Sequence, residues 1–237
     1  MTSGKLPTFI MTRIPSCNSA LSPTAISRAD ARQRLHLPAD ARVILIFGGS
    51  QAVRRFNTAV VGALPRLVGR GHVIHVTGDE GYAEALAGRE RLPDEHRSRY
   101  RPCPFLRDDM LAALVAADLV VGRAGSSTLA EVTALGIPSV IVPYPHAAGH
   151  QVANARVLAG AGAARLVADE DFDADALAAA ADLLADEGTL AAMSIASRNF
   201  GRPGAADAVA ELVLAAAERR PLPDQAQIER ISRGVAE

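Results

Sequence analysis

Three observations predict an α/β domain built on a doubly wound parallel sheet over residues 41–218. Short apolar runs without polar alternation, such as Val43-Ile44-Leu45-Ile46-Phe47, fit parallel strands covered on both faces. Segments of helical composition separate those runs, which is a βαβ rhythm. Turns of small residues close two of the strands, at Gly48-Gly49-Ser50 and after Gly122. Sheets of this class bind ligands beyond the carboxyl ends of their strands.

Residues 1–40 hold one apolar patch, Phe9-Ile10-Met11, then a polar stretch rich in Ser, Pro and Arg. They read as a linker or docking arm, with a short helix over 27–37 capped by Ser27 or Asp30. The regular pattern begins with a strand at 43–47, a glycine turn and a helix over 54–68. A strand at 72–77 ends at Gly78, a helical segment covers 82–87, and 89–99 is a charged surface segment. A short strand at 100–104 precedes a helix over 108–117 that Asp108 and Asp109 open. The strand at 118–121 feeds a helix that closes at Gly136, with Pro138 just beyond. A strand at 139–142, a loop at 143–149, a helix over 151–159 and a strand at 163–167 follow. Ala-rich helices over 176–185, 190–198 and 205–217 complete the domain, and residues 219–237 form a C-terminal tail marked by Pro221 and Pro223.

With 237 residues the chain has room for one large domain or two small ones. Hydrophobic residues make up 49% of it, a globular value, and its apolar runs are too short to span a bilayer. A net charge of −1 argues against a nucleic-acid surface. Cys17 and Cys103 are too few for a disulfide framework and read as reduced thiols. No basic region followed by a long apolar region opens the chain, so a cytoplasmic location is expected. His72, His75, His146 and His150 lack metal-ligand spacing with Cys or carboxylates; no metal site and no cofactor are expected. Without a G-x-S-x-G or a Walker loop, hydrolase and kinase readings have no anchor.

Most of the chemistry lies between Asp118 and Asn154, centred on Arg123-Ala124-Gly125-Ser126-Ser127-Thr128-Leu129-Ala130-Glu131. A strand that runs through a small-residue turn into a helix offers free N–H groups and the positive end of the helix dipole to a phosphate. Glu131 comes four residues after Ser127, one turn deeper on the same face, where a carboxylate can accept both hydroxyls of a ribose. A second reading stands beside the first: Thr128 and Glu131 also fit a capping box that serves only the helix. Arg123, at the mouth of the turn, either faces the anion or pairs with a nearby carboxylate. Gly48 and Gly49 allow close backbone approach to a phosphate and Ser50 adds a donor, or the three simply make a tight turn. Arg54 and Arg55 neutralise a diphosphate or form a solvated helix face. His146 and His150 lie on a candidate ligand loop.

Taken together, these residues form a pattern. Gly48-Gly49-Ser50-Gln51, Phe105 with Asp109-Met110, Ala117-Asp118, Arg123-Ala124-Gly125 with Thr128 and Glu131, Gly136-x-Pro138, Pro143-Tyr144-Pro145 and His150-Gln151-x-x-Asn154-Ala155 stand in order. The combination resembles the C-terminal, donor-binding half of the MurG family, bacterial UDP-N-acetylglucosamine transferases that convert lipid I to lipid II. It covers roughly residues 10–217. The resemblance implies a single Rossmann-like C-terminal domain of a GT-B fold, from an inverting glycosyltransferase of peptidoglycan precursor synthesis. On that resemblance Glu131 holds the ribose hydroxyls, while Ser50 and the turn Gly125-Ser126-Ser127-Thr128 face the diphosphate. The backbone near Leu106 and Arg107 reads the uracil edge, and Gln151 and Asn154 contact the sugar.

The chain also departs from the family. Ala52, followed by Val53, replaces the glycine usual after the Gln of the first loop, and its β-carbon either crowds the diphosphate or shifts the loop. Met11-Thr12-Arg13-Ile14-Pro15 resembles the interdomain linker, with Arg13 in place of glycine and Cys17 where an arginine is expected. The family's N-terminal half carries the acceptor loops, the membrane-facing patch and the histidine assigned as base, and 237 residues leave no room for it. The expectation is a chain that binds a UDP-sugar, UDP-N-acetylglucosamine foremost, and transfers little alone. Its acceptor domain comes from a separate subunit, as in the eukaryotic split transferase that makes dolichol-linked chitobiose, or the chain is a fragment. Membrane contact at the inner face then comes only through that partner, and the catalytic base is unassigned. The alternatives are a transferase with a diacylglycerol or natural-product acceptor, a non-catalytic UDP-sugar-binding subunit, and a remnant whose pocket Ala52 and Arg13 have damaged.

Overall fold

The computed structural model describes residues 26–48, 53–146 and 149–234. All five residues of β1 (Val43–Phe47) are buried. The reason is its place in the sheet: β2 (His72–Val76) pairs with it on one side and β4 (Leu119–Gly122) on the other, both parallel. With β3 (Tyr100–Cys103), β5 (Ser139–Ile141) and β6 (Ala164–Leu166) the order is β3-β2-β1-β4-β5-β6, parallel throughout. Strand order reverses between β1 and β4, so a crevice opens there beyond the carboxyl ends.

Alternate residues of β1 serve opposite layers, as the period of two requires. Ile44 and Ile46 join Phe56, Leu64 and Leu177, from α2 (Val53–Arg70) and α8 (Ala174–Ala181), in one core. Val43, Leu45 and Phe47 join Leu114, Leu129 and Leu158, from α5 (Met110–Ala116), α6 (Ser126–Leu135) and α7 (His150–Gly160), in the other. An apolar run without alternation is therefore what a central strand of this sheet needs. The expected Rossmann-like doubly wound sheet is present.

Some expected boundaries give way. Residues 27–37 belong to the body: α1 (Arg28–Arg34), N-capped by Ser27, buries Ala31 and Leu35 in the second core. Gly78, at φ 67°, opens α3 (Gly78–Glu90), which runs well past the expected 82–87. The charged segment after it contains the short α4 (Asp94–Arg97). After α9 (Glu187–Phe200) and α10 (Ala205–Ala217), the tail folds into α11 (Gln225–Ser232), which returns to the start of α10 where Gly204 N–H donates to Ser232 O at 2.9 Å. An eight-residue helix with a complete Asp224–Gln227 capping box is short enough to escape a periodicity scan.

Candidate functional site

Parallel register puts Phe47, Gly122 and Ile141 side by side, so the loops after β1, β4 and β5 leave the sheet together. Gly122 allows this closeness: a Cβ there would stand 3.3 Å from the Phe47 carbonyl oxygen. Ser50, Gly49 and Ala52 of the first loop, and Arg13 and Cys17 further upstream, lie outside the described residues. Gly48, which opens that loop, is buried.

From Gly122 the chain turns through buried Ala124 into α6. The N-cap is Gly125, in extended conformation at φ −63° and ψ 142°, and no side chain caps the helix. Leu129 N–H makes the first helical bond, to Gly125 O at 3.0 Å. The N–H groups of Ser126, Ser127 and Thr128 come before that ladder and donate to no described residue. The capping box does not form, because the helix starts at Ser126 and Thr128 already lies inside it. Ser126 and Ser127 are exposed and Thr128 is half-buried. One turn deeper sits Glu131, half-buried, and its pKa is raised by burial alone. A partly desolvated carboxylate without a compensating partner is a costly arrangement that two hydroxyl donors would relieve.

A second helix start meets the same crevice. The first turn of α2 carries Arg54 and Arg55 and no acidic residue. Positive side chains at the positive end of a helix dipole repel it, and an anion there reverses the sign of the interaction.

Arg123 is drawn inward. Its guanidinium is 6% exposed, donates to Val142 O at 3.1 Å and to Asp169 Oδ1 at 2.5 Å, and lies over the Phe56 and Tyr144 rings at 4.9 and 5.4 Å. It therefore ties the end of β4 to the loops after β5 and β6, and Arg55 Nε reaches the other Asp169 oxygen at 3.4 Å. The carboxylate-pairing alternative describes this geometry. Asp169, Phe56 and Tyr144 were not singled out from sequence as its partners. The one available signal was that Asp169 follows the last strand, whose loop must return to the carboxyl edge.

The remaining candidates divide by depth. Gln151, at the start of α7, accepts Tyr144 N–H on Oε1 at 2.9 Å, which shapes the Pro143–His146 loop and leaves its Nε2 for another acceptor. Asn154, one turn on, is buried at 5% exposure. Arg107 is exposed and left-handed at φ 39°, opening a three-residue 3₁₀ turn that Asp109 N–H closes on Leu106 O at 2.7 Å. Leu106 shares the core of Phe47, Ala124 and Leu129, which holds the turn at the β1–β4 end of the sheet. His146 and His150 are exposed; His146 packs edge-on against Tyr144 at 5.4 Å. Cys103 is a free thiol whose pKa burial pushes up to about 11, unsuited to a nucleophile. Among the described residues no helix is long and apolar enough to cross a membrane.

A helix start with no side-chain cap at the switch point of a parallel sheet, with a carboxylate one turn deeper, defines a Rossmann-like domain with an anion-ready crevice. Residues 43–211 match the glycosyltransferase family 28 C-terminal domain, and the chain belongs to that family. Among its relatives is the UDP-N-acetylglucosamine--N-acetylmuramyl-(pentapeptide) pyrophosphoryl-undecaprenol N-acetylglucosamine transferase of Corynebacterium efficiens, 42% identical over 188 residues, 78% of this chain and 49% of that protein. The enzyme of the same name from Corynebacterium diphtheriae is 39% identical over 193 residues, 80% of this chain and 50% of that protein. The chain thus spans about half the length of the curated relatives it matches. The crystal structure of Acinetobacter baumannii MurG superposes with a TM-score of 0.66 at 31% identity, over 82% of this chain and 54% of that one. The glycosyltransferase VinC, solved with dTDP, shares the fold at a TM-score of 0.58 and 22% identity, over 76% of this chain and 43% of that one.

Proposed function

We propose that this chain is the donor-binding half of an inverting glycosyltransferase that uses a UDP-sugar, UDP-N-acetylglucosamine in first place, for peptidoglycan precursor synthesis. The observation that carries this reading is the open start of α6, where three N–H groups and two exposed hydroxyls precede a partly buried Glu131. The N–H groups of residues 126–128 take the diphosphate and Glu131 accepts the ribose hydroxyls. The backbone at Leu106 and Arg107 meets the uracil, while Gln151 Nε2 and Asn154 meet the sugar. Ser50 joins them from the first loop. Arg123 is given a positioning part in place of direct contact, since Asp169 and Val142 O already hold its guanidinium.

In the reaction, an acceptor hydroxyl attacks C1 of the sugar from the face opposite UDP. The C1–diphosphate bond breaks with inversion, and charge grows on the departing diphosphate. Preorganised N–H groups and a helix dipole aimed at that charge stabilise the transition state. The base that takes the hydroxyl proton, the acceptor loops and any membrane contact come from a second domain or subunit, with the chain itself in the cytoplasm.

Calorimetric titration with UDP-N-acetylglucosamine, UDP-glucose and UDP, repeated on Glu131→Ala, tests the reading. Saturable binding that the variant weakens at least about tenfold, close to 1.4 kcal/mol, is expected. A folded sample that binds none of the three would overturn it. Transfer to lipid I only when an acceptor-domain partner is added separates the transferase from a non-catalytic binding subunit.

A further inference from the structure

At the amino ends of β1, β4 and β5, on the edge opposite the donor crevice, α1, α5, α6 and α9 enclose a second cleft of about 690 Å³. Its floor is Asp118, 10% exposed, which receives three guanidinium groups: Arg28 Nη2 at 2.5 Å, Arg32 Nη2 at 3.1 Å and Arg42 Nη1 at 3.6 Å. Asp118 Oδ2 also accepts Val43 N–H at 2.8 Å. Across the cleft Arg198 lies over Gly136, where a Cβ would meet its side chain at 2.2 Å. Arg198 Nη2 donates to Ser194 Oγ at 2.7 Å, and that hydroxyl donates to Gly136 O at 2.7 Å.

The charges do not cancel. Arg28, Arg42 and Arg198 line the cleft against Asp118 and Glu187, three positive charges to two negative, and buried Arg32 stands behind Asp118. Glu187 pairs with Arg42 but is 80% exposed, so water screens it. The Arg32 pKa is lowered, first by burial and then by the Arg28 charge; the Asp40 charge acts against this more weakly than the Asp118 charge does. Apolar residues, Leu114, Leu135, Ile137 and Leu190 among them, line the inner wall. An apolar wall with arginine forks at its rim suits a small ligand with an apolar body and a doubly charged head.

We propose that this cleft is a second binding site, separate from the donor crevice, for a phosphate monoester with a compact apolar body. Arg28 and Arg198 clasp the phosphate from opposite walls, Arg198 being the lining arginine that pairs with no carboxylate among the described residues. Arg32 and Arg42 stay on Asp118 and hold the floor.

The test is a titration with phenyl phosphate, and with inorganic phosphate beside it, followed through backbone amide shifts. Saturable shifts at Gly136 and Ser194 are expected, with phenyl phosphate the tighter ligand. Arg28→Ala and Arg198→Ala each weaken it about fivefold or more while keeping the melting temperature. Co-sedimentation with phosphatidylcholine vesicles that contain phosphatidic acid, lost in Arg28→Ala, identifies a lipid headgroup as the source. Phenyl phosphate binding without co-sedimentation identifies a soluble ester. Shifts confined to Ser126 and Ser127, binding that does not saturate, or equal affinity in both folded variants would overturn the proposal.

Discussion

The two edges of one sheet handle polar groups in opposite ways. At the amino edge Asp118 is held by Val43 N–H and three arginines, and it locks α1 to the starts of β1 and β4. At the carboxyl edge α6 begins on a bare glycine, its first N–H groups donate to no described residue, and Glu131 is half-buried with burial as the only influence on its pKa. The first arrangement holds the fold together. The second leaves donors and an acceptor open to whatever enters the crevice, where Glu131 gives up part of its hydration.

Breaking the amino edge gives the largest expected effect. Asp118→Ala leaves Arg32 buried among like charges, and denaturant titration is expected to show a loss of about 3–5 kcal/mol. UDP-sugar affinity of the folded fraction stays the same. A parallel loss of affinity would show that the edges are coupled.

Between the edges, His75 in β2 is fully buried, with Nδ1 2.8 Å from Tyr100 Oη. Burial pushes its pKa down to about 3, below the 6.5 of a free histidine. The unfolded chain therefore takes the proton first, so the contribution to stability is complete above pH 6.5 and is lost as pH falls towards 3. The slope attributable to this one group approaches about 1.4 kcal/mol per pH unit within that window. His75→Gln, compared with the parent between pH 6 and 4, is expected to flatten the dependence by roughly that slope. Identical slopes would mean that His75 titrates normally.

At the carboxyl edge the expected signs reverse. Glu131→Ala removes a partly desolvated carboxylate, so melting temperature holds or rises while UDP binding falls by about 1.4–3 kcal/mol. A drop in stability to match the lost binding would make Glu131 a structural residue. The smallest and sharpest test is Gly125→Asp. The glycine already has N-cap geometry, and its Cβ would meet only Thr128 Oγ1, at 3.8 Å. An aspartate there caps the N–H groups itself, with a gain of a few tenths of a kcal/mol. It also places a negative charge where the diphosphate is proposed to lie, and UDP affinity is expected to fall about tenfold or more. Unchanged affinity would move the diphosphate away from α6.

The contrast between the edges was only half legible in the sequence. Gly125-Ser126-Ser127-Thr128 and Glu131 stand close in the chain, so helical periodicity alone placed them on one helix start. Local spacing could not decide between an anion site and a capping box. That choice turned on a shift of the helix start from Thr128 to Ser126, which depends on how Gly122 and Ala124 leave the sheet. The amino edge was invisible. Arg28 and Asp118 are 90 residues apart, and in sequence Asp118 was the first residue of an expected strand and one piece of the family pattern, with nothing to link it to Arg28.

The sequence by itself determined the parallel α/β class, the six strands near their observed places and the helix start that faces the crevice. Burial on both sheet faces and helical spacing are written into neighbouring residues. Tertiary structure alone decided that residues 28–37 belong to the body, that Arg123 turns inward to Asp169 46 residues away, and that Asp118 gathers three arginines. Each of those depends on where distant segments meet, and a buried charge takes whichever partner the fold brings within a few ångströms.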